Sequence, residues 1–79
     1  MKITKYAGHT CVRCKLLDKV LKHLKLEDKV ETIYAEDIGE DKLIEQGIMT
    51  LPTLIIEKDG ETKILSGNIL PQDIIDFVS

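Results

Sequence analysis

The sequence has few aromatic residues, few cysteines and no long apolar segment. Tryptophan is absent, and aromatic residues make up 4% of the 79 positions. The longest uninterrupted apolar run, residues 54–56, is far too short to cross a bilayer. A single arginine and the lack of an aromatic cluster argue against nucleic-acid binding. Because the first residues also lack the apolar core of a secretory signal, we expect a soluble cytoplasmic protein with no membrane or nucleic-acid partner.

The composition is nonetheless typical of a folded protein. Hydrophobic residues make up 43% of the chain and charged residues 32%, which is too apolar for a disordered segment. A chain of this length has room for one small core. We therefore expect a single domain over residues 1–79, and we expect it to be monomeric.

Apolar spacing and turn signals predict seven elements of secondary structure. Strands are expected at residues 2–6, 30–35, 53–56 and 62–65, and helices at residues 11–26 and 39–46 and from Pro71 onward. Thr10 is the expected cap of the first helix. Strands joined by a helix run parallel, whereas the Asp59-Gly60 turn adds an antiparallel hairpin. The sequence thus predicts an α/β fold of order βαβαββα, with a four-stranded mixed sheet flanked by helices.

The two cysteines lie in the basic part of the chain. Residues 1–25 hold seven of the eleven basic residues and one acid, whereas residues 26–79 hold the other four and thirteen acids. This asymmetry indicates either two solvated faces of opposite sign or local positive charge that stabilises a thiolate. A disulfide between Cys11 and Cys14 would close too short a loop to stabilise the fold much, so the pair needs a chemical explanation.

The predicted position of the pair favours redox chemistry. Cys11 lies at the start of the first long helix, where free N–H groups and the helix dipole favour an anion. Arg13 and Lys15 add fixed positive charge, and protonated His9 could add more. Cys11, nearer the helix end, is expected to attack a partner disulfide. Cys14, one turn further on, is expected to resolve the mixed disulfide.

Other uses of two cysteines at this spacing remain open. Zinc normally takes four ligands, and only two histidines are available to complete a set. The cysteine pair is also set in a sequence close to the metal-binding loop of small copper-carrying domains, Gly8-His9-Thr10-Cys11-Val12-Arg13-Cys14. Paired thiolates at this spacing suit Cu(I), so a copper-carrying module is a second possibility. A third possibility is a redox fold that serves only as a scaffold.

A second motif surrounds Pro52, which opens the apolar strand predicted at residues 53–56. Proline is tolerated there because the first residue of a strand need not donate a ladder hydrogen bond. Together with the cysteine pair, however, the chain resembles the thioredoxin superfamily. The matching motifs are Cys11-x-x-Cys14-Lys15, Gly47-Ile48-x-x-Leu51-Pro52-Thr53-Leu54, Asp59-Gly60-Glu61, and Gly67 before a final helix containing Phe77.

The resemblance implies a function and a substrate site. The protein would be a small thiol–disulfide oxidoreductase that reduces protein disulfides, without a bound metal or cofactor, and is regenerated by a partner reductase. The Leu51–Pro52 bond would be cis, with Pro52 packed against the disulfide. Leu51 would offer its backbone to an extended substrate segment, and Gly67 would leave room for the partner.

The sequence departs from full-length thioredoxins at several positions. Lys5 stands six residues before Cys11, where thioredoxins have a buried acid that assists proton transfer, so that assistance is not expected here. Val12-Arg13, between the cysteines, resembles the corresponding residues of the small glutaredoxin-like electron donors of ribonucleotide reductase. Electron donation to that enzyme is therefore an alternative function. Residues 66–69 lack the Gly-Gly-x-Asp-type turn of glutathione-binding glutaredoxins. We therefore expect regeneration by a thioredoxin reductase-like enzyme rather than by glutathione.

Overall fold

The computed structural model describes residues 1–78, which form a four-stranded sheet with helices packed on it. The strands are β1 (Lys2–Ala7), β2 (Val30–Tyr34), β3 (Thr53–Lys58) and β4 (Glu61–Ser66), and the helices are α1 (Val12–His23), α2 (Ala35–Ile38), α3 (Glu40–Glu45) and α4 (Pro71–Val78). A short 3₁₀ turn, Glu27–Lys29, precedes β2. None of the helices within residues 1–78 has the length and apolar content that a membrane span requires.

The sheet is mixed, with β1 and β3 as its two inner strands. The strand order is β2-β1-β3-β4. β1 and β2 are parallel, because α1 connects them, whereas β1–β3 and β3–β4 are antiparallel. This arrangement confirms the α/β fold predicted from the sequence.

The main core lies between one face of the sheet and helices α1 and α4. Its buried members are Ile3, Leu17, Leu21, Leu26, Leu54, Ile56 and Ile74. Burial of each large aliphatic side chain contributes about 1.5–3 kcal/mol relative to an exposed one. The core therefore fixes α1, and with it the cysteine pair, against the centre of the sheet.

The opposite face of the sheet is covered at one end only. Tyr6 of β1 is buried there, and its hydroxyl donates a 2.5 Å hydrogen bond to Oε1 of Gln46, just after α3. Ile38 and Lys42 line an open pocket of about 330 Å³ beside the same tyrosine. Ile64 of β4, further along the sheet, is 64% exposed.

Helix α1 starts later and ends earlier than predicted. Its N-cap is Cys11 rather than Thr10. At the other end, Lys25 has φ +60°, and the N–H of Leu26 donates to the carbonyl of Leu21 at 2.9 Å. This is a Schellman ending, in which a left-handed residue stops the helix and a C-terminal apolar residue folds back onto it. Lysine gives little sequence signal for such an ending, because glycine usually occupies the position.

The region after β2 contains a helix that the sequence pattern did not predict. The strand was expected to extend to residue 35 but ends at Tyr34, because residues 35–38 form α2. Gly39, with φ +85°, separates α2 from α3. Four residues are too few to reveal a helical period in the sequence.

The hairpin and the last helix agree with their predicted signals. Asp59 and Gly60 both have positive φ, as a two-residue type I′ turn requires. Strands β3 and β4 pair over their full length and are longer than predicted. Pro71 opens α4, and Asp73 accepts the N–H of Leu70 through its carboxylate at 3.2 Å.

Candidate functional site

The two cysteines lie at the first turn of α1 and form a disulfide. Their Cα atoms are 5.2 Å apart, within the usual range for such a bond. Cys14 is 2% exposed, whereas Cys11 is partly exposed. A partner can therefore reach the first sulfur more easily than the second.

Backbone hydrogen bonds hold Cys11 at the helix tip. Its side chain acts as the N-cap, and Sγ accepts the N–H of Cys14 at 3.2 Å. Its own N–H donates to the carbonyl of Gly8 at 3.3 Å. Because an N–H donor is stronger toward a thiolate than toward a thiol, this arrangement favours the ionised sulfur in the reduced protein.

Positive side chains lie on the same helix, and its first turn contains no acid. Arg13 is exposed and lines a groove of about 110 Å³ beside Pro52 and Gly67. Lys15 donates its backbone N–H to the carbonyl of Cys11 at 3.3 Å, and its side chain is exposed.

Leu51, Pro52 and Gly67 are brought together near the cysteine pair. The Leu51–Pro52 peptide bond is cis, the isomer that the resemblance implies. Pro52 is buried, and its carbonyl accepts the N–H of Gly67 at 3.0 Å. Gly8 lies between Leu51 and Cys11: a Cβ on Gly8 would be 3.5 Å from Cδ1 of Leu51 and 3.6 Å from Cβ of Cys11. Leu51 therefore adjoins the loop before Cys11, and Pro52 and Gly67 line a groove together with Arg13.

His9 makes contacts that the sequence did not suggest. Its ring stacks on Tyr34 with centroids 4.0 Å apart, and its backbone N–H donates to Oε2 of Glu36 at 3.0 Å. Residues 8–10 (the cysteine loop), which precede Cys11, thus have an anionic neighbour in addition to the basic residues that the sequence predicted. Glu36 was missed because it lies on α2, the helix with no detectable period.

The pKa of Glu36 is lowered from its usual value. The largest cause is a hydrogen bond from its own backbone N–H, followed by the one from the N–H of His9. This carboxylate is therefore ionised at neutral pH.

Lys5, six residues before Cys11, is buried under α1. The residue is 3% exposed, and Nζ forms an ion pair with Oδ1 of Asp18. Burial lowers the pKa of this lysine. The departure noted in the sequence therefore places a buried cation, rather than a buried acid, between β1 and α1.

A metal site would need more ligands than the pair supplies. Among residues 1–78, no group of three or more His, Cys, Asp or Glu side chains is arranged to hold a metal ion.

Solved structures with the same fold include thioredoxins. Thioredoxin 1 from Thermosipho africanus has a TM-score of 0.72 and 20% identity, covering 99% of this chain and 90% of that one. Thioredoxin O2 from Arabidopsis thaliana, in the oxidised state, has a TM-score of 0.66 and 17% identity, covering 96% of this chain and 70% of that one. These likenesses define the fold as thioredoxin-like.

A third solved structure is more similar in sequence and in size. The glutaredoxin-like protein NrdH-redoxin from Escherichia coli has a TM-score of 0.73 and 27% identity, covering 100% of this chain and 96% of that one. No family model and no curated protein matches the sequence. Together with the Cys11–Cys14 disulfide, these likenesses support a thiol–disulfide oxidoreductase of the thioredoxin superfamily. Its compact fold is similar both to thioredoxins and to a glutaredoxin-like protein.

Proposed function

We propose that this protein reduces disulfides in other proteins by dithiol exchange. The observation that carries the proposal is the difference between the two sulfurs: Cys11 is accessible and accepts a backbone N–H, whereas Cys14 is 2% exposed behind it. Such a pair suits one sulfur that meets the substrate and a second that reacts only within the protein.

The reaction proceeds in two exchanges. The thiolate of Cys11 attacks one sulfur of the substrate disulfide, forms a mixed disulfide and releases the other substrate sulfur as a thiolate. The thiolate of Cys14 then attacks Sγ of Cys11, forms the intramolecular disulfide and releases the second substrate sulfur. Two electrons pass from the cysteine pair to the substrate, and the two released thiolates take up protons according to the pH.

Substrate binding is proposed at the cis-proline. Leu51 would pair its backbone N–H and C=O with an extended segment of the substrate, as in strand addition. Pro52 would shield the sulfurs, and Gly67 would keep the adjacent surface low. The hydrogen bond between Gly67 and the carbonyl of Pro52 supports this role, because it ties the two segments into one surface.

Regeneration is proposed through a thioredoxin reductase-like enzyme rather than glutathione. The solved NrdH-redoxin is described as glutaredoxin-like with a thioredoxin-like activity profile, which supports this assignment. Residues 66–69 of the present chain also lack the Gly-Gly-x-Asp-type turn of glutathione-binding glutaredoxins. The 27% identity to NrdH-redoxin favours a second candidate function, electron donation to ribonucleotide reductase, which uses the same dithiol.

Insulin reduction tests the proposal. The protein is assayed with NADPH and a thioredoxin reductase, and separately with glutathione and its reductase. Turnover with the first system alone is expected, and turnover with the second alone would contradict the proposed reductase. The Cys11→Ser variant should be inactive, whereas Cys14→Ser should accumulate mixed disulfides with the substrate.

The same variants distinguish other uses of the pair. A copper-carrying module would bind Cu(I) with a thiolate-to-metal absorption and would not reduce insulin. A scaffold would retain its function in the Cys11→Ser variant. Either result would overturn the proposal.

A further inference from the structure

The carboxylate of Glu36 lies beside the loop that precedes Cys11. Oε2 of Glu36 is 3.8 Å from the point where a Cβ of Gly8 would sit, and Cβ of Cys11 is 3.6 Å from that same point. The carboxylate oxygen therefore lies at most about 7.4 Å from Cβ of Cys11. Glycine leaves the space between them without a side chain.

The carboxylate is fixed in this place by the cysteine loop itself. The N–H of His9 donates to Oε2 of Glu36 at 3.0 Å, and the N–H of Cys11 bonds to the carbonyl of Gly8 on the same loop. The ring of His9 stacks on Tyr34, the residue that precedes α2. One short loop thus connects the sulfur nucleophile and the anion.

The charged groups around Cys11 act in opposite directions. The helix N-terminus, Arg13 and Lys15 stabilise a thiolate, and His9 would do so when protonated. Glu36 opposes them, because a nearby negative charge disfavours a second one. The disulfide form carries no charge on Cys11, so the carboxylate acts on the reduced form alone.

We infer that Glu36 is a positioning residue that limits the acidity of Cys11 and so makes the dithiol a stronger reductant. An anion that destabilises the thiolate raises the free energy of the reduced protein relative to the disulfide. The electrons are then transferred more readily to a substrate. This inference rests on the proposed dithiol function and adds to it the group that sets the thiol acidity.

The Glu36→Gln variant tests the inference, with Asp37→Asn as the matched control. Both substitutions remove one exposed negative charge from α2, but only Glu36 bonds to the cysteine loop among the hydrogen bonds described. The thiol of Cys11 is titrated by its rate of alkylation as a function of pH, at low ionic strength. With the upper bound of about 7.4 Å between Oε2 of Glu36 and Cβ of Cys11 taken as the charge separation, the Coulomb interaction in water predicts that the Cys11 pKa falls by about half a pH unit in Glu36→Gln.

A second readout separates an electrostatic role from a structural one. The ratio of dithiol to disulfide is measured in a buffer of reduced and oxidised dithiothreitol across the same pH range. At pH values above the Cys11 pKa, the ratio of dithiol to disulfide should be about threefold higher in Glu36→Gln than in the unaltered protein. At acid pH, where the thiol is protonated, the two proteins should have the same ratio. Added salt should reduce the difference.

Three results would overturn the inference. They are an unchanged Cys11 pKa in Glu36→Gln, an equal shift in Asp37→Asn, or a change in the dithiol ratio that is the same at every pH. Failure of the unaltered protein to form the Cys11–Cys14 disulfide in the same buffer would instead overturn the proposed function. The two failures are therefore distinguishable.

Discussion

Lys5 of β1 and Asp18 of α1 form an ion pair in which the lysine is buried and the aspartate is half exposed. Lys5 shares its sheet face with Ile3, a fully buried member of the core, so the strand pattern alone favours an apolar residue there. The pair joins the central strand to the helix that begins at the cysteines. Its contribution to stability depends on the burial of the lysine, because a pair at the surface would contribute little.

Asp18→Asn is expected to lower the free energy of unfolding by about 2 kcal/mol, because it leaves the buried ammonium of Lys5 without its counter-charge. The loss is smaller than for a fully buried pair, since Asp18 is half exposed to water. Urea denaturation measures the change. Asp28→Asn, in the exposed 3₁₀ turn, provides the control. Equal stability of the two variants would mean that the ion pair contributes nothing.

The stability contributed by Lys5 should also depend on pH. Burial lowers its folded-state pKa below the ordinary value of 10.5, so the unfolded chain binds more protons between the two pKa values. Stability should therefore rise with pH across that interval and be lost as pH falls through the folded pKa. Comparison with Lys5→Met, which lacks the titrating group, isolates this effect. Parallel stability curves for the two proteins in the alkaline range would contradict it.

Lys25→Gly should raise the free energy of unfolding by about 0.5–1 kcal/mol. Lys25 ends α1 with φ +60°, a conformation that costs little for glycine but is strained for other residues. Lys22→Gly, in the last turn of the same helix, should lower stability by about 1 kcal/mol. Thermal or urea unfolding measures both. Destabilisation by Lys25→Gly would show that the side chain of Lys25 contributes more than its backbone conformation costs.

The sequence predicted those features that depend on long periods or strong local signals. Helix α1 was recognisable from its apolar spacing, and the hairpin from Asp59-Gly60, whose residues both adopt positive φ. The Cys11-x-x-Cys14 spacing indicated that the two sulfurs could form a disulfide, because cysteines one helical turn apart lie within bonding reach of each other. The cis-proline site required the resemblance, because an X-Pro bond is rarely cis on sequence grounds alone.

Other features of the site depend on contacts between distant segments. The hydrogen bond from His9 to Glu36 joins residues 27 positions apart, through a helix of four residues. The ion pair of Lys5 exists because α1 presents Asp18 to the sheet, and no local pattern indicates it. The cap of α1 was assigned to Thr10 because a hydroxyl is the commoner cap, whereas the sulfur of Cys11 fills that role.

Gly67→Ala should slow the reduction of protein disulfides by about tenfold. Gly67 has φ +73° beside Pro52, and a Cβ there would stand 3.7 Å from Cγ2 of Thr50 at the proposed substrate surface. A side chain at this position should hinder a protein partner more than a small disulfide. Insulin and a low-molecular-weight disulfide are compared as substrates.

Gly60→Ala is the matched control for this substitution. Gly60 has φ +82° in the β3–β4 hairpin, so alanine introduces a similar backbone strain away from the cysteines. Loss of activity in Gly60→Ala equal to that in Gly67→Ala would assign the effect to stability rather than to the substrate surface.

The proposed chemistry depends above all on the acidity of Cys11. This acidity is measured in the reduced Cys14→Ser variant, in which Cys11 is the single thiol, by thiolate absorbance as a function of pH. We predict a pKa clearly below the value of about 8.5 of a free cysteine, because the helix N-terminus and the basic residues of α1 stabilise the thiolate. A pKa of about 8.5 or above would mean that the helix N-terminus and the basic residues do not activate Cys11.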